Sequence, residues 1–164
     1  MPDRLYSSLT FPVFLEIPAH MVANQITILL VDDDDVDADI IRRAITKQRI
    51  ANPIVRARDG LEALTVLRGN ESEAALNRPY LILLDLNMPR MSGIEFLQEL
   101  RDDKNLHDSI VFVLSSSLDD RDILKSYEKH VAGYLPKGKF GDPFVDQLNS
   151  LQLYWRYIEF PPEH

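Results

Sequence analysis

Between Ile26 and Pro136, short apolar runs alternate with amphipathic stretches, and this alternation restricts the possible folds more than any other feature of the chain. The runs are ITILLV, PIVRA, YLILLD, IVFVLS and AGYLP. Each is too short for a helix, several are rich in Ile and Val, and two are apolar at nearly every position, as parallel strands covered on both faces should be. Val36, Ile40, Ile41, Ala44 and Ile45 predict one helical apolar stripe, Leu61, Leu64 and Leu67 a second, and Ile94, Leu97 and Leu100 a third. Ser92 with Glu95 and Ser117 with Asp120 stand at capping-box spacing. Asp142-Pro143 supplies a cap and a first helical residue for the last helix. Five βα units in series predict an α/β domain: a doubly wound, five-stranded parallel sheet with five helices and right-handed crossovers. Arg68–Pro79 reads as a long polar loop before the third strand.

Residues 25–158 are expected to form this domain, with 1–24 an irregular N-terminal leader and 159–164 a C-terminal tail. The leader's most apolar part, FPVFLEIPAHMV, is interrupted by Pro12, Glu16 and Pro18 and predicts neither a signal peptide nor a membrane span. Met21 is a second candidate start. A formal net charge of −8 argues against nucleic acid or an anionic membrane as the main partner. The absence of cysteine excludes disulfides and thiolate metal sites and fits a reducing, cytoplasmic setting.

In an open parallel sheet, ligands bind beyond the carboxyl ends of the strands, near the point where the strand order reverses. The first run leads into ILLVDDDDVDADI and ends at Asp32 and Asp33. The third ends at Asp85, the fourth at Ser115, and Lys137 lies just past the fifth. Taken singly, an acidic run is ordinary helix-start charge, an Asp before a turn is a cap, and a lone Lys is surface. Together they place three carboxylates, a hydroxyl and a cation on one rim. Three converging carboxylates repel and push at least one pKa upward. Mg²⁺ relieves that repulsion and is held by one or two carboxylates together with water and phosphate oxygens. One carboxylate can then attack a phosphoryl group, while the lysine and the hydroxyl contact its oxygens.

This order of residues, with LLDLNMPRMSG around Asp85 and Tyr134 three positions before Lys137, resembles the response-regulator receiver domains of two-component signalling. The likeness runs from about Ile26 to Trp155 and implies a flavodoxin-like receiver fold. It further implies that Asp85 is the phosphoacceptor and that Asp32 and Asp33 position Mg²⁺, with Asp33 a direct ligand beside Asp85 and the backbone carbonyl of Asn87. Ser115 would be the switch hydroxyl, Tyr134 the switch aromatic and Lys137 the phosphate-pairing lysine. Asp34, Asp35, Asp37 and Asp39 have no matching role and are expected to be helix-start and surface charge. Receivers usually follow this lysine with proline; here Gly138 follows and Pro136 precedes it. The Arg68–Pro79 loop, LSSS at Leu114–Ser117 and LYW at Leu153–Trp155 resemble the single-domain regulators paired with phytochrome photoreceptor kinases.

The implied partner is a sensor histidine kinase, a phytochrome by the subfamily resemblance. The expected output is contact with a protein or a phosphotransfer partner, since no output domain follows the fifth helix. His20, His107, His130 and His164 are scattered and are expected neither to donate a phosphoryl group nor to bind metal. Phe144, Leu148, Leu151, Trp155 and Ile158 recur at spacings that suggest a seam, and Tyr154, Tyr157 and Phe160 add bulk beside it. This pattern predicts a homodimer through the face of the fourth helix, fifth strand and fifth helix. Two alternatives come from other classes. A Mg²⁺-dependent phosphatase would need an acid where Asn87 stands, and an inert receiver-like binding module would be expected to lack part of the set.

Overall fold

The computed structural model describes residues 26–47, 52–116, 119–137, 146–147, 150–151, 154 and 158–162. Among these, five strands and four complete helices alternate: β1 (Thr27–Val31), α1 (Asp35–Lys47), β2 (Ile54–Ala57), α2 (Gly60–Arg68), β3 (Tyr80–Leu84), α3 (Gly93–Asp102), β4 (Val111–Ser115), α4 (Asp120–Glu128) and β5 (Gly133–Pro136). The strands form one parallel sheet in the order β2-β1-β3-β4-β5. The order reverses between β1 and β3, so a crevice opens at their carboxyl ends. Four or five residues per strand suffice because β1, β3 and β4 are buried along almost their whole length.

Alternation along the strands divides the core into two layers. Leu29, Val31, Ile82, Leu84, Val111 and Val113 pack with Leu64 and Leu67 of α2 and Phe96, Leu97 and Leu100 of α3. Ile28, Leu30, Leu81, Leu83, Phe112 and Leu114 face Ala38, Ile41, Ala44 and Ile45 of α1. Full burial of such aliphatic side chains contributes about 1.5–3 kcal/mol each before chain entropy is counted, so these layers dominate the stability.

The helices depart from the expected stripes at their first turns. Val36 is 67% exposed and Leu61 is also exposed, while Ala38 and Ala63 are buried in their place. Both outliers lie in a first turn, and in α2 the neighbouring Gly60 is buried, so Leu61 sits on the outer face of that turn. α3 has the expected capping box: Ser92 accepts from the Glu95 N–H, and Glu95 accepts from the Ser92 N–H. α4 begins later than expected. Asp119 is its N-cap, accepting from the Arg121 N–H, so Asp120 is the first helical residue rather than the third; Ser117 lies outside the described residues. The Arg68–Pro79 segment is ordered locally by Asn70, whose side chain accepts from the N–H groups of Ser72 and Glu73.

The expected leader, the Asp142-Pro143 helix start and the residues Phe144, Leu148, Trp155 and Tyr157 lie outside the described residues. Asp146, Gln147, Ser150, Leu151 and Tyr154 are helical, so the fifth helix is represented by these positions alone. Leu151 is buried against the α1-side layer, and the Tyr154 ring meets Phe112 edge-on with centroids 5.2 Å apart. Phe160 also packs partly on that layer. Part of the bulk expected beside the seam therefore meets the sheet's own core layer at Phe160.

Candidate functional site

The sheet brings the strand-end residues together at the carboxyl edge of β1, β3 and β4. β1 and β3 pair in register up to Val31 and Leu84, so Asp32 and Asp85 leave the sheet side by side. The backbone continues this pairing, with Asp85 N–H donating to Val31 O at 2.8 Å. Both carboxylates are buried, while Asp33 is exposed. One oxygen from each of Asp32, Asp33 and Asp85 falls within 4.8 Å of the others, close enough to share a cation.

Gly93 is what lets α3 begin so near this edge. A Cβ there would come within 2.5 Å of the Asp85 carbonyl oxygen and 2.7 Å of Leu86 Cα, and both contacts are with backbone that cannot swing aside. The Gly93 N–H donates to Leu86 O at 2.9 Å, closing the loop that carries Asn87. Asn87 is exposed, and its N–H points back at Asp85 Oδ1 at 3.4 Å. In the same loop Arg90 takes a left-handed conformation (φ 64°) and pairs with Asp59, the N-cap of α2.

Lys137 reaches the edge from the end of β5, where its N–H donates to Ser115 O at 2.9 Å. Its buried ammonium donates to Asp32 Oδ2 at 2.7 Å and Asp37 Oδ2 at 2.9 Å, and lies 3.3 Å from Asp85 Oδ2. Ser115 is fully buried at the end of β4, next to the strand that ends at Asp85. Tyr134 is half-buried on β5 opposite Val113 and packs on the α2–α3 layer. Residue 138 lies outside the described residues, so the unusual Lys137-Gly138 step does too.

The charges do not balance. Burial pushes the Asp32 and Asp85 carboxyls above the ordinary value of 3.8, and the lysine only partly offsets this. Burial alone would push the Lys137 ammonium down, but the hydrogen bonds to Asp32 and Asp37 and the Asp85 charge outweigh it and hold the lysine above its usual range. These directions agree physically: one cation among several carboxylates stays firmly protonated, while the buried acids still lack compensation. A divalent cation fits that deficit, and the all-oxygen donor set suits a hard metal.

Sequence reasoning missed two participants. Asp37, expected to be helix-start and surface charge, lies in the first turn of α1 and accepts from Lys137. Arg56 on β2 donates to the backbone oxygen of Asp32 from Nε (3.2 Å) and Nη2 (3.1 Å), to that of Asp33 (3.3 Å), and pairs with Asp35 at 2.6 Å. A cation inside the otherwise apolar IVRA strand was its sequence signal. Of the other acids, Asp34 does cap α1, accepting from the N–H groups of Val36 and Asp37, and Asp39 is exposed.

A parallel 2-1-3-4-5 sheet carrying acids at the ends of β1 and β3 and a lysine after β5 defines a signalling receiver, and the chain belongs to the response regulator receiver domain family, which it matches over residues 28–144. It is 33% identical to the response regulator Rcp1 of Synechocystis sp. over 128 residues, covering 78% of this chain and 87% of the relative. The crystal structure of Mn²⁺-bound Rcp1 superposes with a TM-score of 0.74 at 31% identity, covering 83% of this chain and 99% of that one. The phosphorylated cyanobacterial phytochrome response regulator RcpA gives a TM-score of 0.76 at 34% identity, covering 84% and 99%. Among the described residues, no helix is long and apolar enough to cross a membrane.

Proposed function

We propose that this receiver, spanning about residues 25–158, accepts a phosphoryl group on Asp85 from a sensor histidine kinase, and that a phytochrome is that kinase. The observation that carries the reading is the meeting of buried Asp32 and Asp85, exposed Asp33 and the Lys137 ammonium at one strand edge. The phytochrome assignment rests on the likeness to RcpA.

In the transfer, an Asp85 carboxylate oxygen attacks phosphorus, the phosphorus–nitrogen bond of the donor histidine breaks, and its electron pair stays with the departing imidazole, which takes up a proton. The product is an acyl phosphate on Asp85. Asp32, Asp33, Asp85 and the Asn87 carbonyl are the residues that would hold Mg²⁺, which supplies charge neutralisation for the incoming phosphoryl oxygens. Lys137 keeps a fixed positive charge beside the acceptor and pairs with a phosphoryl oxygen. Ser115, anchored at the end of β4, donates to another, and Tyr134 relays the change to the β4–β5 face.

Output then proceeds by protein contact in the cytoplasm, and a homodimer through α4, β5 and the C-terminal helix is part of this reading. Leu124 (63% exposed) and Tyr127 (50%) on α4 support it, since large apolar groups left in water favour an interface. The test of the phosphoacceptor is intact mass after incubation with a small phosphodonor. The parent gains one phosphoryl group with Mg²⁺ and none after chelation, and Asp85→Asn gains none. Equal gain by Asp85→Asn overturns the assignment.

A further inference from the structure

Asp37 has no place in the phosphotransfer scheme above, yet it accepts one of the shorter hydrogen bonds made by the site lysine. Lys137 Nζ has three N–H donors, and three carboxylates stand around it: Asp32 at 2.7 Å, Asp37 at 2.9 Å and Asp85 at 3.3 Å. Asp85 is the most distant. Asp37 is not among the acids that converge for a cation; it reaches the ammonium from the first turn of α1.

We propose that Asp37 is a competing acceptor that holds the Lys137 ammonium in the unmodified protein and yields it when a phosphoryl group forms on Asp85. This rests on the phosphoacceptor reading of Asp85. An acyl phosphate presents several anionic oxygens beside the lysine; the N–H that faces Asp85 can meet one of them, and a second contact requires a donor redirected from Asp32 or Asp37. Releasing Asp32 would take a hydrogen bond from a fully buried carboxylate that water cannot reach to replace it. The Asp37 side chain is 23% exposed, so water can replace the lysine there. Asp37 is therefore the partner released, and its pull on the lysine opposes modification. It is a positioning residue acting through Lys137, not a group that touches the phosphoryl.

The test compares Asp37→Asn with Asp39→Asn. Each removes one negative charge from α1, and Asp39 is an exposed acid with no bond to the lysine among those described. With acetyl phosphate and Mg²⁺, Asp37→Asn is expected to be phosphorylated about fivefold faster than the parent, the size of one partly screened charge-assisted bond. Asp39→Asn should stay within about twofold. Asp37→Glu, which keeps a carboxylate, should return the rate toward the parent's. A second readout needs neither metal nor phosphodonor: the ¹⁵N resonance of the Lys137 ammonium should move in Asp37→Asn and hold in Asp39→Asn. An equal rise in both variants, a slower Asp37→Asn or an unmoved ammonium resonance overturns the proposal. A parent that takes no phosphoryl group overturns this reading together with that of Asp85, whereas a modified parent with matching variants overturns this one alone.

Discussion

The two ends of the sheet handle buried charge in opposite ways. At the amino ends of β4 and β5, Arg101 donates to four backbone oxygens, those of Lys129 (2.8 Å), His107 (2.6 Å), Ser109 (2.8 Å) and His130 (2.9 Å). Burial pushes its guanidinium pKa down, but neutral carbonyls satisfy the donors and no carboxylate is forced into the interior. Nearby, Arg78 pairs with Asp108 at 2.6 Å, and Tyr80 shares a hydrogen bond with Ser109 at 2.9 Å. At the carboxyl ends, by contrast, Lys137 faces Asp32, Asp37 and Asp85, and the surplus is negative. At one end donors and acceptors are matched. The other keeps an electrostatic deficit that a cation and a phosphoryl group can exploit, as expected where function opposes stability.

The largest expected effect breaks the matched end. Arg101→Ala leaves several carbonyls without their donor and should lower the unfolding free energy by about 3 kcal/mol in denaturant titrations. Mg²⁺ affinity should not change, because the residue lies at the far edge of the sheet; a matching loss of metal binding would show that the two ends are not independent. A smaller effect sharpens the site. Asp33→Ala removes one charge from the proposed cation site and should weaken Mg²⁺ binding by about tenfold in calorimetric titration, whereas Ser115→Ala should leave it nearly unchanged. Equal losses in the two variants would contradict their separate roles.

The smallest effect concerns the deficit itself. Asp85 has a folded-state pKa raised above 3.8, so its charge destabilises the metal-free fold above that raised value. Asp85→Asn should then stabilise the metal-free protein by on the order of 1 kcal/mol at neutral pH. The gain should shrink as pH falls through the raised value toward 3.8, because the parent's Asp85 takes up its proton in the folded state first. A gain that grows on acidification would reverse the sign of the account.

The strands were legible in the sequence because β1, β3 and β4 are buried on both sides, which leaves nearly unbroken apolar runs. The strand-end residues followed from one topological rule applied to those runs. Helix faces were less legible. The period alone does not say where a helix first meets the sheet, and so Val36 and Leu61 were placed inward. Asp37 was hidden for another reason: its partner is 100 positions away, and the five other acids of the same run offered the same local signal. Arg56 stood unremarked inside the PIVRA run, although it holds the backbone oxygens of Asp32 and Asp33.

The central claim is that Asp85, among several neighbouring acids, takes the phosphoryl group. Borohydride reduction of the acyl phosphate followed by peptide sequencing in a mass spectrometer tests it most directly. The account predicts conversion at residue 85 alone, dependent on Mg²⁺. Conversion at Asp32, Asp33 or Asp37, or conversion at residue 85 that persists after chelation, would contradict it.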